Sequence, residues 1–225
     1  MHIEPGVVEG AKMALGAATA AGAVGITTKL AADTVKESGV ASLATRSVIS
    51  TAAVFSFFQV LPHYPVGVSE VHLILGSTLF LLFGRAPAMI GLAAGLLLQG
   101  LLFAPTDLPQ YGINLTTLLV PLYVMSLLAE RIIPKGTAYK DLSYMQALKL
   151  STTFQAGIVS WVAFWAFYGQ GFGAESLASV ASFGAAYMLV VLLEPLVDLA
   201  LLAAAKTLHG YKDSGLLTPR LFTSA

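Results

Sequence analysis

The chain has no cysteine, which excludes disulfides, thiolate metal sites and cysteine nucleophiles. Charge is scarce too: only 11% of residues are Asp, Glu, Lys or Arg, against roughly 25% in soluble domains. Basic and acidic residues balance at 12 each, so the total says nothing about nucleic acid and the distribution of charge matters more; no nucleic-acid partner is expected. Also missing are the G-x-x-x-x-G-K-[ST] phosphate loop, the H-E-x-x-H zinc-protease helix and a G-x-S-x-G nucleophile turn. The chain therefore has no nucleotide site of its own and no hydrolase signature. What remains is apolar: 56% of the residues are hydrophobic and the mean hydropathy is +0.79. That balance identifies an integral membrane protein.

A helix needs about 20 mostly apolar residues to cross a bilayer. Seven stretches fit, at about 10–28, 41–60, 68–84, 86–104, 113–133, 146–169 and 178–206. The expected fold is an all-α transmembrane bundle of about seven helices, forming a single domain over residues 1–225 with no soluble module. Basic residues collect in alternate connections. Lys29, Lys36 and Arg46 flank the first, Arg85 marks the third, and Arg131, Lys135, Lys140 and Lys149 flank the fifth. Lys206, Lys212 and Arg220 follow the last span. Cytoplasmic loops retain Lys and Arg, so the amino terminus is expected outside and the carboxyl terminus inside, with 207–225 as a cytoplasmic tail. Lys12 alone falls on the outer side.

This topology places His2, His63 and His72 on the outer face and His209 in the tail. Imidazole is the commonest protein ligand for nickel, cobalt, copper and zinc. In the opening stretch MHIEPGVV, the Met1 amine, the His2 backbone nitrogen and the His2 side chain can close a five-membered and a six-membered chelate ring. A deprotonated backbone nitrogen suits metals that accept a planar nitrogen field, such as Ni(II) or Cu(II). Position two is not proline, so that nitrogen is available. A fourth ligand must come from elsewhere, and His72 is the natural candidate. Ser69 and Glu70 lie within one turn of His72, either as groups that fix its tautomer or as plain interfacial residues. His63, in the tight loop PHYP, is either a supporting group or an exposed loop residue. A Ser69–His72–Glu70 hydrolase is a competing reading. In the last span Glu194 and Asp198 lie one turn apart, satisfied by neighbouring helices or by Arg46, with a proton relay as the alternative. Small residues recur at spacing four in the first span (Ala14, Ala18, Gly22) and suit close packing, within the bundle or against a partner.

The MHI start with Pro5-Gly6, the stretch GVSEVHLILG and the stretch LLLQGLLFAPTDLPQYGIN resemble the CbiM/NikM family. These are the nickel- and cobalt-binding membrane (S) components of energy-coupling factor (ECF) ABC transporters. The resemblance implies a transporter subunit rather than an enzyme, with Co²⁺ or Ni²⁺ as cargo. It implies metal ligands at Met1, His2 and His72, held by an outer segment 1–9 that plugs back into the bundle, and Asn114 as a supporting loop asparagine. The implied partners are a transmembrane coupling (T) subunit, two ATP-binding-cassette ATPases, a small accessory membrane subunit and the lipid bilayer. The implied location is the prokaryotic plasma (inner) membrane. The sequence departs from the family pattern where Glu70 and Val71 precede His72, where the loop reads PTDLPQYG, and where Thr117 replaces a second asparagine. An S component for an organic vitamin would share this architecture without the metal ligands.

Overall fold

The computed structural model describes residues 3–207, 210 and 212–223. Its long elements are all helical. Helix α1 runs Met13–Gln59, α2 Gly76–Phe83, α3 Arg85–Leu102, α4 Tyr111–Ile132, α5 Tyr144–Gln170 and α6 Ala174–Thr207. Strands β1 (Tyr64–Val66) and β2 (Ser69–Val71) form the one antiparallel hairpin among the described residues. Every long helix other than the eight-residue α2 is long and apolar enough to cross a membrane.

The first two expected spans fall within α1, which breaks at Gly39 (φ 82°, ψ 162°). The two arms run in opposite directions. Gly16 packs on Ile113, and Ser42 at the far end donates to the Gly215 carbonyl, 3.0 Å away. Phe58 returns to lie 5.2 Å from the His72 ring.

The third expected span, 68–84, is not a transmembrane helix. Hydropathy registers apolar content, not backbone conformation, and here the apolar residues are split between three conformations. The β-hairpin comes first, its register Val66↔Ser69 closing on a tight turn. Gly67 sits there with φ 61°, and a Cβ would also strike the Ser179 carbonyl of α6. An irregular segment 72–75 follows, ending at Leu75 in the left-handed region (φ 55°). Only then does α2 begin, and at about 1.5 Å per residue its eight residues reach less than half of a bilayer's ~30 Å core. Irregular backbone at membrane depth is tolerated where protein covers it. Ile74, Leu75 and Gly76 are all buried.

Packing turns the polar groups inward. On α6, Glu194 and Asp198 are buried while Leu189, Leu192, Leu193 and Leu196 are exposed, the arrangement expected of a helix that faces lipid on one side. The exposed small residues Ala14, Ala18 and Gly22 of α1 lie on the outside of the bundle, so they do not pack inside this chain.

Candidate metal centre

The site is assembled at one end of the bundle from four elements. The amino-terminal segment lies along the hairpin as a partial third strand: Ile3 bridges Ser69, and the Glu4 N–H donates to the Val68 carbonyl over 3.3 Å. Ile3 is only 1% exposed, so its N–H needs a partner. It donates to Asn114 Oδ1 at 2.9 Å, and Gln110 Nε2 donates to the Glu4 carbonyl at 3.3 Å. Further along, the Val7 carbonyl lies against Gly169, where any Cβ would collide with it. Lys12 Nζ donates to the Gly169 carbonyl at 2.8 Å. The position of Lys12, the basic residue out of step with the others, thus has a local cause. Its ammonium meets the carbonyl-rich C-terminus of α5, where the helix dipole favours a cation.

His72 follows β2 directly and is 1% exposed. Its Nε2 lies 2.9 Å from Glu70 Oε2. A carboxylate only accepts, so Nε2 is the donor in this pair and Glu70 orients the ring, as supporting carboxylates do for ligating histidines. The ring stacks on His63 (5.0 Å between centroids, 9° between planes), and His63 Nδ1 is 3.2 Å from the Leu61 carbonyl. Sequence reasoning left His63 between two readings because the stack depends on how the hairpin folds back.

Carboxylates crowd this mouth. The Glu4 carboxyl is pushed above its ordinary value, first by burial and then by the charges of Glu70 and Asp107. Such a concentration of negative charge draws cations. Among the described residues, however, no group of three or more His, Asp or Glu side chains is placed to hold a metal ion. Any site built on His72 must therefore draw on donors beyond these side chains. Met1 and His2 lie outside the described residues, immediately before the docked Ile3.

Other expected groups resolve differently. Ser69 is in a strand and its backbone bridges Ile3, so it does not share a helical face with His72 as a hydrolytic pair would require. Thr117 turns back on its own helix, donating to the Ile113 carbonyl at 2.9 Å. Glu194 accepts from Ser151 Oγ at 2.6 Å and Gln155 Nε2 at 2.7 Å. Asp198 accepts from Ser77 Oγ at 2.8 Å and from Thr78 Oγ1. The acid pair takes its hydrogen bonds from α2 and α5, both of those to Glu194 reaching Oε2; Arg46 donates instead to the Phe83 and Ser42 carbonyls.

A family model described as "CbiM: Cobalt uptake substrate-specific transmembrane region" matches residues 2–209. The chain belongs to the CbiM family. Membership makes this chain a transporter component and not an enzyme. Two solved structures share the CbiM chain's fold. One is of a truncated transition metal transporter, at TM-score 0.67 and 19% identity, covering 93% of this chain and 100% of that one. The other is of a transition metal transporter, at TM-score 0.67 and 18% identity, covering 94% and 98%. No curated protein sequence matches the chain.

Proposed function

We propose that this CbiM chain is the substrate-capture subunit of an ECF-type ABC importer for Co²⁺ or Ni²⁺, with Met1, His2 and His72 as metal ligands. The carrying observation is the docking of Ile3. A buried residue at position three, hydrogen-bonded to Asn114 and bridged to Ser69, three positions before His72, supports a ligand role for the two residues that precede it. Glu70 and His63 support the His72 ring and Asn114 supports the terminus. The cargo then passes inward with a T subunit, two ATPases and a small accessory subunit, since the chain carries no phosphate loop of its own. The setting is a prokaryotic inner membrane.

Protein purified in detergent from cells grown with both metals is expected to carry about one Co²⁺ or Ni²⁺ per chain by elemental analysis, and to lose it to a chelator. An organic vitamin in place of the metal would replace this reading. The His72 end is expected outside, because Arg46, Arg85, Lys140 and Arg220 gather at the opposite end. A cytoplasm-active reporter fused after residue 225 should therefore be active; silence there, with activity of a periplasm-dependent reporter, would reverse the topology.

A further inference from the structure

At the end of the bundle away from His72, a cavity of about 590 Å³ opens between the Gly39 break of α1, the start of α3 and the carboxyl-terminal tail. That volume is in the usual range for small-ligand sites, about 300–1,000 Å³. Three arginines from three separate segments face it: Arg46, Arg85 and Arg220. Arg46 is 2% exposed. Its Nε donates to the Ser42 carbonyl at 3.3 Å and its Nη1 to the Phe83 carbonyl at 2.9 Å, but among the described residues its Nη2 has no hydrogen-bond partner. A buried guanidinium with an idle donor is costly, and Arg46 is one of the residues that line this cavity.

The charge balance narrows the occupant. Arg85 is committed to Glu130, 3.0 Å away, and Asp33 to Lys36, 3.4 Å away. With those pairs set aside, Arg46 and Arg220 face the Glu37 carboxylate, which acts on Arg46 without ion-pairing to it among the described residues. One positive charge remains. That matches a single-charged phosphate diester better than a polyphosphate. The guanidinium fork suits phosphate oxygens, and the hydroxyls of Ser38 and Thr218 line the same space. Arg220 is already oriented, its guanidinium 5.3 Å from the Tyr139 ring centre.

We propose that this cavity is a phosphate-binding site, with Arg46 and Arg220 as its anion ligands. A phospholipid headgroup and a soluble phosphate share this chemistry. Basic pockets between helices on the cytoplasmic side are where lipid headgroups bind, and the two sources are separable by experiment. Delipidated full-length protein in neutral detergent is titrated with short-chain phosphatidylglycerol and, separately, with inorganic phosphate, with binding read by native mass spectrometry. Phosphatidylglycerol is expected to bind with an apparent affinity that falls about tenfold or more in Arg220→Gln and Arg46→Gln. It should be unchanged in Lys29→Gln, whose side chain is exposed and outside the cavity. Because Arg46 also caps the end of α2, Arg220→Gln on the tail is the decisive variant if Arg46→Gln fails to fold. Inorganic phosphate binding as tightly as the lipid, with the same arginine dependence, assigns the site to soluble phosphate. Binding of neither probe, or equal lipid binding by wild type and Arg220→Gln, overturns the proposal.

Discussion

One extra residue ahead of Met1, or an acetyl group on its amine, is expected to abolish metal binding as completely as His72→Ala, a loss of at least about a hundredfold in affinity. Binding free energy to nitrogen ligands depends on each being present and deprotonated. An added residue moves the amine out of the five-membered ring, and acetylation removes its lone pair. Either change also weakens the backbone nitrogen of His2, whose deprotonation depends on a metal already anchored beside it. His2→Ala removes the six-membered ring and should be equally damaging. Asn114→Leu should be intermediate: it leaves the buried Ile3 N–H without its acceptor, costing about 1–3 kcal/mol, and loosens the terminus without deleting a ligand. Nitrogen ligands must be deprotonated to bind, so affinity should fall as pH drops through the histidine range, near about 6.5 for a free imidazole. Calorimetric titration of Ni²⁺ and Co²⁺ into each folded variant checks all of this. Tight binding by the acetylated protein would remove the terminus from the ligand set.

Asp198→Leu is expected to destabilise the protein by about 2–4 kcal/mol and to weaken metal binding at a distance, while Asp198→Asn keeps most of both. The reason lies in α2, which has no capping side chain of its own. Its first turn is held by Asp198, which accepts from Ser77 and Thr78. A carboxylate at that place also meets the positive end of the short helix. Leucine strands two buried hydroxyls and frees α2, together with the segment 72–75 that presents His72. Asparagine retains an acceptor. Chemical denaturation in detergent, paired with metal titration, separates the two variants. Equal stability of Asp198→Leu and wild type would show that the acid does not hold α2.

Much of the fold is legible in the sequence where the signal is local. Five long helices follow from apolar length, and the pair Glu194 and Asp198 is visible from its spacing in an otherwise apolar run. Asn114 is found through a motif rather than through physics, since nothing local says that its side chain reaches residue 3. The broken third span escapes because HLILGSTLFLLFG is as apolar as a spanning helix. What breaks it, the left-handed Leu75 and the pairing of Ile3 with Ser69, is set by residues distant in the chain. The stack of His63 on His72 and the use of Ser77 and Thr78 as donors to α6 are hidden for the same reason.

The docking of Ile3 has a consequence for how the protein is made. Its partner Asn114 lies 111 residues downstream, and Lys12 reaches a carbonyl 157 residues downstream. The first residues synthesised are thus among the last to find their places, because α5 must emerge and insert before the terminus has a surface to settle on. Throughout that interval Val7 and Lys12 lack the α5 end against which they rest.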